Sequence, residues 1–142
     1  MRILVMDDDH SVGEAIQALL AQHGDEVVLV EDGWHGIRAF ESSVFDAVIL
    51  DIFLPEIGGL EIIRRLRRQS PTLPIIAISG FPPRTVLGSE PDFLNIAAAL
   101  GATYCLRKPF ELQHLTTILD GGSPRAPAPA IPQQQLEQQR CP

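Results

Sequence analysis

Short apolar runs punctuate the chain: Ile3-Leu4-Val5-Met6, Val27-Val28-Leu29-Val30, Ala47-Val48-Ile49-Leu50, Ile75-Ile76-Ala77-Ile78 and the weaker Tyr104-Cys105-Leu106. Each has the length of a strand. Their apolar character is nearly continuous rather than alternating, the pattern of parallel strands covered by helices on both faces. The segments between them carry a helical period. Val12, Ile16, Leu19 and Leu20 share one face of the first, and Ser11 with Glu14 has the spacing of an N-terminal capping box. The second runs from Gly33 to Ser42 with Ile37 and Phe40 inward, and the third places Leu60, Ile63 and Leu66 inward before ending near Ser70-Pro71. A fourth, Pro91 to Leu100, stops at Gly101, and a fifth starts near Phe110 and fades at Asp120-Gly121-Gly122.

Strand-helix alternation of this kind predicts an open α/β sheet with right-handed crossovers. From Gly121 onward the composition shifts to Pro, Ala and Gln, too poor in apolar residues for a core. The expected folded unit is therefore 1–120, with 121–142 a disordered or linker-like tail.

Composition narrows the function classes. A chain of 142 residues that is 45% hydrophobic supports one domain without staples. The formal charge of -7 argues against direct nucleic-acid binding. Two cysteines, Cys105 and Cys141, fit a reducing compartment. The opening apolar run is too short for a signal peptide or a membrane span, so a soluble, cytoplasmic protein is expected.

In an open α/β sheet, function collects at the carboxyl ends of the strands. Asp7-Asp8-Asp9 follows the first run, Asp51 the third, Ser79-Gly80 the fourth, and Arg107-Lys108-Pro109-Phe110 the fifth. Carboxylates crowded at one edge repel unless a cation joins them, and hard oxygen ligands suit Mg²⁺. A lysine and a hydroxyl opposite suit a phosphoryl group. Lys108 is the chain's sole lysine among eleven basic residues. The implied chemistry is phosphoryl transfer with an aspartate nucleophile.

Taken in order, Asp7-Asp8, Asp51 within Val48-Ile49-Leu50-Asp51-Ile52-Phe53-Leu54-Pro55 followed by Gly58-Gly59, Ser79-Gly80 and Lys108-Pro109-Phe110 resemble the response-regulator receiver domain of two-component signalling. The resemblance implies a flavodoxin-like, doubly wound sheet of five parallel strands in the order 2-1-3-4-5 with five helices. It implies Asp51 as phosphoacceptor from a histidine kinase or histidine phosphotransfer protein. It also implies Mg²⁺ held by Asp8, Asp51 and the backbone carbonyl of Phe53, with Asp7 acting through water. Lys108 resembles the lysine that pairs with phosphoryl oxygens, Ser79 the hydroxyl that moves to bond them, and Gly80 the small residue that keeps the site open. The expected output is binding of an unidentified downstream protein or onward phosphotransfer by a single-domain regulator. Phosphorylation-linked homodimers are common in the family.

Three positions depart from the family pattern. Where an aromatic commonly stands three residues before the lysine, this chain has Cys105, and Tyr104 points to the opposite face. The connection 81–91 is long and carries three prolines, Pro82, Pro83 and Pro91. Phe53 and Phe81 flank the phosphoryl site, so an acyl phosphate screened by their rings should hydrolyse slowly. Arg64, Arg65, Arg67 and Arg68 read as a solvated helix face, Trp34 as packing, and the four histidines carry no assigned function. Three alternatives stay open: a receiver-like interaction module that is not phosphorylated, a receiver fragment of a longer regulator, and a small Mg²⁺-dependent phosphatase of the haloacid-dehalogenase type. The phosphatase would want a second Asp where Phe53 stands.

Overall fold

The computed structural model describes residues 1–80 and 93–121. Each apolar run forms a strand: β1 (Arg2–Met6), β2 (Glu26–Val30), β3 (Ala47–Asp51), β4 (Ile75–Ser79) and β5 (Tyr104–Arg107). Between and after them lie α1 (His10–Gln22), α2 (Gly33–Ser42), α3 (Gly59–Gln69), α4 (Phe93–Leu100) and α5 (Leu112–Leu119). All strand pairs are parallel and the order is β2-β1-β3-β4-β5. This is the expected flavodoxin-like arrangement.

The continuous hydrophobicity of the strands has a direct cause in the layers. Successive side chains of a strand alternate faces. Leu4, Met6, Val48, Leu50, Ile75 and Ala77 pack with Ile37 of α2, Ile62, Ile63 and Leu66 of α3, and Leu94 and Ala97 of α4. Ile3, Val5, Ala47, Ile49, Ile76 and Ile78 face the other way, against Ile16 and Leu20 of α1 and Leu115 and Ile118 of α5. Both β3 and β4 are buried along their whole length, whereas the edge strand β2 is only half-buried. Cys105 packs on the first side and Tyr104 on the second, as their adjacent positions require.

Two local expectations are corrected. The cap of α1 is Asp9, not Ser11 in a capping box with Glu14. Asp9 has extended backbone, and its carboxylate accepts from the N–H groups of Ser11 and Val12 at 3.0 and 3.3 Å. Ser11 already lies inside the helix, and Glu14 pairs with His10 at 2.9 Å. The second correction concerns the arginines. Arg64 and Arg65 do share Glu61 on the surface, but Arg67 turns inward. Its guanidinium donates to the carbonyl of Gly101 at 2.6 and 3.1 Å, to the Ser70 carbonyl at 3.0 Å and to Thr103 Oγ1 at 3.4 Å. Arg67 thus ties α3 to the turn between α4 and β5. Arg67→Met keeps the stem and removes these bonds, and urea unfolding should show a loss of about 2 kcal/mol. Arg68→Met is the surface control, expected within about 0.5 kcal/mol of the parent.

Trp34, expected to pack, is 42% exposed and lies under the Arg65 guanidinium, 5.3 Å from the ring centroid. The fifth helix begins later than the sequence suggests, at Leu112, and the described part of the fourth is Phe93–Leu100. Pro91, Phe81 and the rest of the 81–91 connection lie outside the described residues, as does the proposed tail beyond Gly121.

Of the Gly58-Gly59 pair, only Gly59 is demanded by space. A Cβ on Gly59 would stand 2.3 Å from Ile52 Cα and 2.8 Å from the Asp51 carbonyl, both backbone atoms that cannot step aside; at Gly58 nothing lies within 4 Å. Gly59→Ala is therefore expected to cost about 3 kcal/mol in chemical unfolding, and Gly58→Ala far less. Equal losses at the two positions would refute this steric account.

Candidate functional site

The sheet topology brings four strand ends to one place. From β1 the chain leaves towards β2 and α1, and β3 lies on the other side of β1, which opens a crevice at their carboxyl ends. Met6 and Leu50 are register partners, so the residues after them, Asp7 and Asp51, stand level at neighbouring strand ends. Asp8 follows. One carboxylate oxygen from each of Asp7, Asp8 and Asp51 lies within 4.8 Å of the others. Asp7 and Asp51 are buried, at 1% and 5% exposure, and Asp8 is exposed.

Lys108 arrives from the end of β5. Its Nζ donates to Asp51 Oδ2 at 2.9 Å and lies 3.1 Å from Asp7 Oδ2. The other oxygens are held by backbone: Asp51 Oδ1 accepts from the N–H of Phe53 and Asp7 Oδ1 from that of Asp9, both at 2.8 Å. These bonds fix both carboxylates in one orientation. Despite the nearby lysine, Asp7 Oδ2 accepts no well-directed hydrogen bond and is sealed from solvent.

Burial pushes the Asp7 carboxyl above its ordinary 3.8, against the opposing pull of the Asp9 N–H and of Lys108. Burial likewise disfavours the charge on Lys108, but Asp51 and Asp7 outweigh it and hold the ammonium above its ordinary 10.5. Three carboxylates against one ammonium leave the cluster two charges negative. A buried oxygen whose one nearby donor, the Lys108 ammonium, is poorly directed, an excess of negative charge and an all-oxygen donor set fit a hard divalent cation.

Ser79, the last residue of β4, is 2% exposed, and its carbonyl accepts the Lys108 N–H at 2.8 Å. Gly80 lines the mouth of the site with Asp8, Asp51 and Phe53, around a cleft of about 410 Å³. A Cβ on Gly80 would come within 3.0 Å of Lys108 Cδ, so a larger residue would crowd the lysine stem. All the site residues expected from the sequence therefore gather at this edge, whereas Phe81 lies outside the described residues. One residue was not foreseen. The ring of Phe53 meets that of Phe93 edge to face, with centroids 5.1 Å apart and planes at 81°. No local pattern links two rings so far apart in the chain.

Among the described residues, no helix is long and apolar enough to cross a membrane. Residues 3–120 match the family model of the response regulator receiver domain. The transcriptional regulatory protein DltR of Streptococcus agalactiae is 39% identical over 115 residues, which are 81% of this chain and 48% of DltR. The transcriptional regulatory protein TcrA of Mycobacterium tuberculosis is 36% identical over 134 residues, 93% of this chain and 49% of TcrA. The chain thus spans about half the length of these curated relatives. Among solved structures, a response regulator receiver domain protein from Clostridium thermocellum superimposes with a TM-score of 0.73 at 29% identity, covering 85% of this chain and 92% of that one. The fold, the acidic strand-end cluster and these similarities agree, and the chain belongs to the response regulator receiver domain family of two-component signalling.

Proposed function

We propose that Asp51 accepts a phosphoryl group from the phosphohistidine of a histidine kinase or histidine phosphotransfer protein, with Mg²⁺ as the cofactor, in the cytoplasm. The observation that carries this reading is the Asp51 carboxylate itself, which belongs to a residue lining an open cleft, is bonded to Lys108, and stands within 4.8 Å of two further carboxylates. A carboxylate oxygen attacks phosphorus, the bond from phosphorus to the imidazole nitrogen breaks with its electron pair staying on that nitrogen, and the ring, already protonated on its other nitrogen, leaves as neutral imidazole. Hydrolysis of the acyl phosphate returns the Asp51 carboxylate and inorganic phosphate.

Asp8, Asp51 and the Phe53 carbonyl would hold the ion, with Asp7 acting through water. When bound, Mg²⁺ neutralises the cluster's excess charge and stabilises charge on the transferring oxygens. Lys108 supplies a point charge on the opposite side and Ser79 a hydroxyl donor. The partner class is supported by an apolar groove of about 520 Å³ that shares Gly80 and Lys108 with the site and continues over Val12, Ala15, Pro109, Phe110 and Leu112. Such a groove fits a helical partner that presents a histidine to Asp51. Output then passes through protein contacts of the receiver or onward phosphotransfer, and residues 1–120 are the working unit.

The test is intact-mass measurement after incubation with acetyl phosphate and Mg²⁺. One added phosphoryl group, prevented by EDTA, is expected. No uptake would instead favour a receiver-like interaction module that is not phosphorylated, and repeated turnover of phosphoesters would favour a phosphatase.

A further inference from the structure

We propose that Phe93 is a positioning residue for the Asp51 site: from the start of α4 it holds the Phe53 ring at the mouth of the cleft, and the pair sets how fast water reaches a phosphoryl group on Asp51. The proposal rests on the phosphoacceptor reading given above.

Phe53 lies two residues after Asp51, and its backbone is fixed by the bond from its N–H to Asp51 Oδ1. Its ring is not fixed by that bond. At 39% exposure it lines the cleft from the outside, where rotation about χ1 could swing it over the opening or away. Phe93 restrains that rotation. Its own ring packs against the core shared by α2, α3 and α4, so it offers the Phe53 ring a seat on a helix rather than on a loop. Edge-to-face contacts favour one arrangement, and losing this one should redistribute the Phe53 ring by about fivefold. A ring held at the cleft mouth excludes the water needed for in-line attack on the acyl phosphate. A ring released from it does not.

The experiment loads the full chain with acetyl phosphate and Mg²⁺, removes the donor and follows loss of the phosphoryl group by intact mass. Phe93→Ala and Phe53→Ala should each accelerate loss about fivefold, and the double variant should be no faster than Phe53→Ala alone, since Phe93 acts only through Phe53. Phe93→Tyr keeps the ring and should restore the parent rate, whereas Phe93→Leu keeps apolar bulk without the ring edge and should not. If Phe93→Ala fails to fold, the Leu and Tyr variants decide. Unchanged loss in Phe93→Ala and Phe93→Leu, or a double variant equal to the product of the two singles, overturns the proposal while leaving the phosphoacceptor reading intact. Parent protein that takes up no phosphoryl group overturns both.

Discussion

Asp51→Asn protein, incubated with acetyl phosphate and Mg²⁺, is expected to gain no phosphoryl group, and in EDTA its thermal midpoint should be no lower than that of the parent. The first half follows from chemistry: an amide oxygen is too weak a nucleophile to replace the carboxylate. The second follows from the charge count. Asp7, Asp8 and Asp51 face a single ammonium, and Asp51 is 5% exposed. Removing one of these charges relieves repulsion, while the carboxamide oxygen can still accept from the Phe53 N–H. Lys108 keeps Asp7 as its partner at 3.1 Å. Differential scanning calorimetry beside mass measurement reads both halves. Phosphoryl uptake that survives the change would remove Asp51 from its assigned role. A clearly lower midpoint would mean that the lysine pair outweighs the repulsion.

The second large effect is expected at Lys108. Lys108→Ala strands two buried carboxylates, and such losses reach 3–5 kcal/mol where the pair is fully desolvated. Here the lysine side chain is 20% exposed, and solvent screening brings the expectation down to about 2 kcal/mol near neutral pH without a divalent cation. The loss depends on pH with a definite sign. Burial already raises the Asp7 carboxyl above 3.8, and Lys108 is among the groups that restrain it; without the lysine it climbs further. Between the ordinary value and the raised one, the folded protein holds a proton that the unfolded chain has released, so stability falls as pH rises through that window. The deficit of Lys108→Ala should therefore be smaller near the ordinary carboxyl value of 3.8 and grow as pH rises above it, as read by urea unfolding at a series of pH values. Mg²⁺ should recover part of it by supplying the missing positive charge. Phosphoryl uptake from acetyl phosphate should slow by about a hundredfold, the scale for losing one donor to transition-state charge. A deficit independent of both pH and Mg²⁺ would show that the lysine acts through packing alone.

What the sequence made legible, and what it hid, follows the range of the interactions. Strands buried on both faces must be apolar at every position, so β1, β3 and β4 announce themselves in runs such as Ala47-Val48-Ile49-Leu50. The strand-end rule then needs only the next one or two residues in each case to bring Asp7, Asp8, Asp51, Ser79 and Lys108 to one edge. The hidden features are long-range or depend on phase. Asp9 and Ser11 are both good caps, and the choice was made by extended backbone at Asp9, whose N–H is already held by Asp7. Arg67 looks like its neighbours in sequence, and its distinction is a reach across 34 residues to the carbonyl of Gly101. Phe93 gives no sign of its contact with Phe53, because edge-to-face packing between a loop and a helix leaves no period in the chain.

The anions of the site and their counter-charge come from different depths of the sheet. Asp7 follows β1 and Asp51 ends β3, strands that have neighbours on both sides, whereas Lys108 follows β5, which among the described residues is an edge strand paired with β4 alone. Edge elements open at lower free energy than the interior. Detachment of β5 would carry off the ammonium while the central strands stayed folded, leaving the carboxylates uncompensated, so the electrostatics of the site act as a latch on the sheet's last strand. A divalent ion supplying the same charge from the solvent side would loosen that latch.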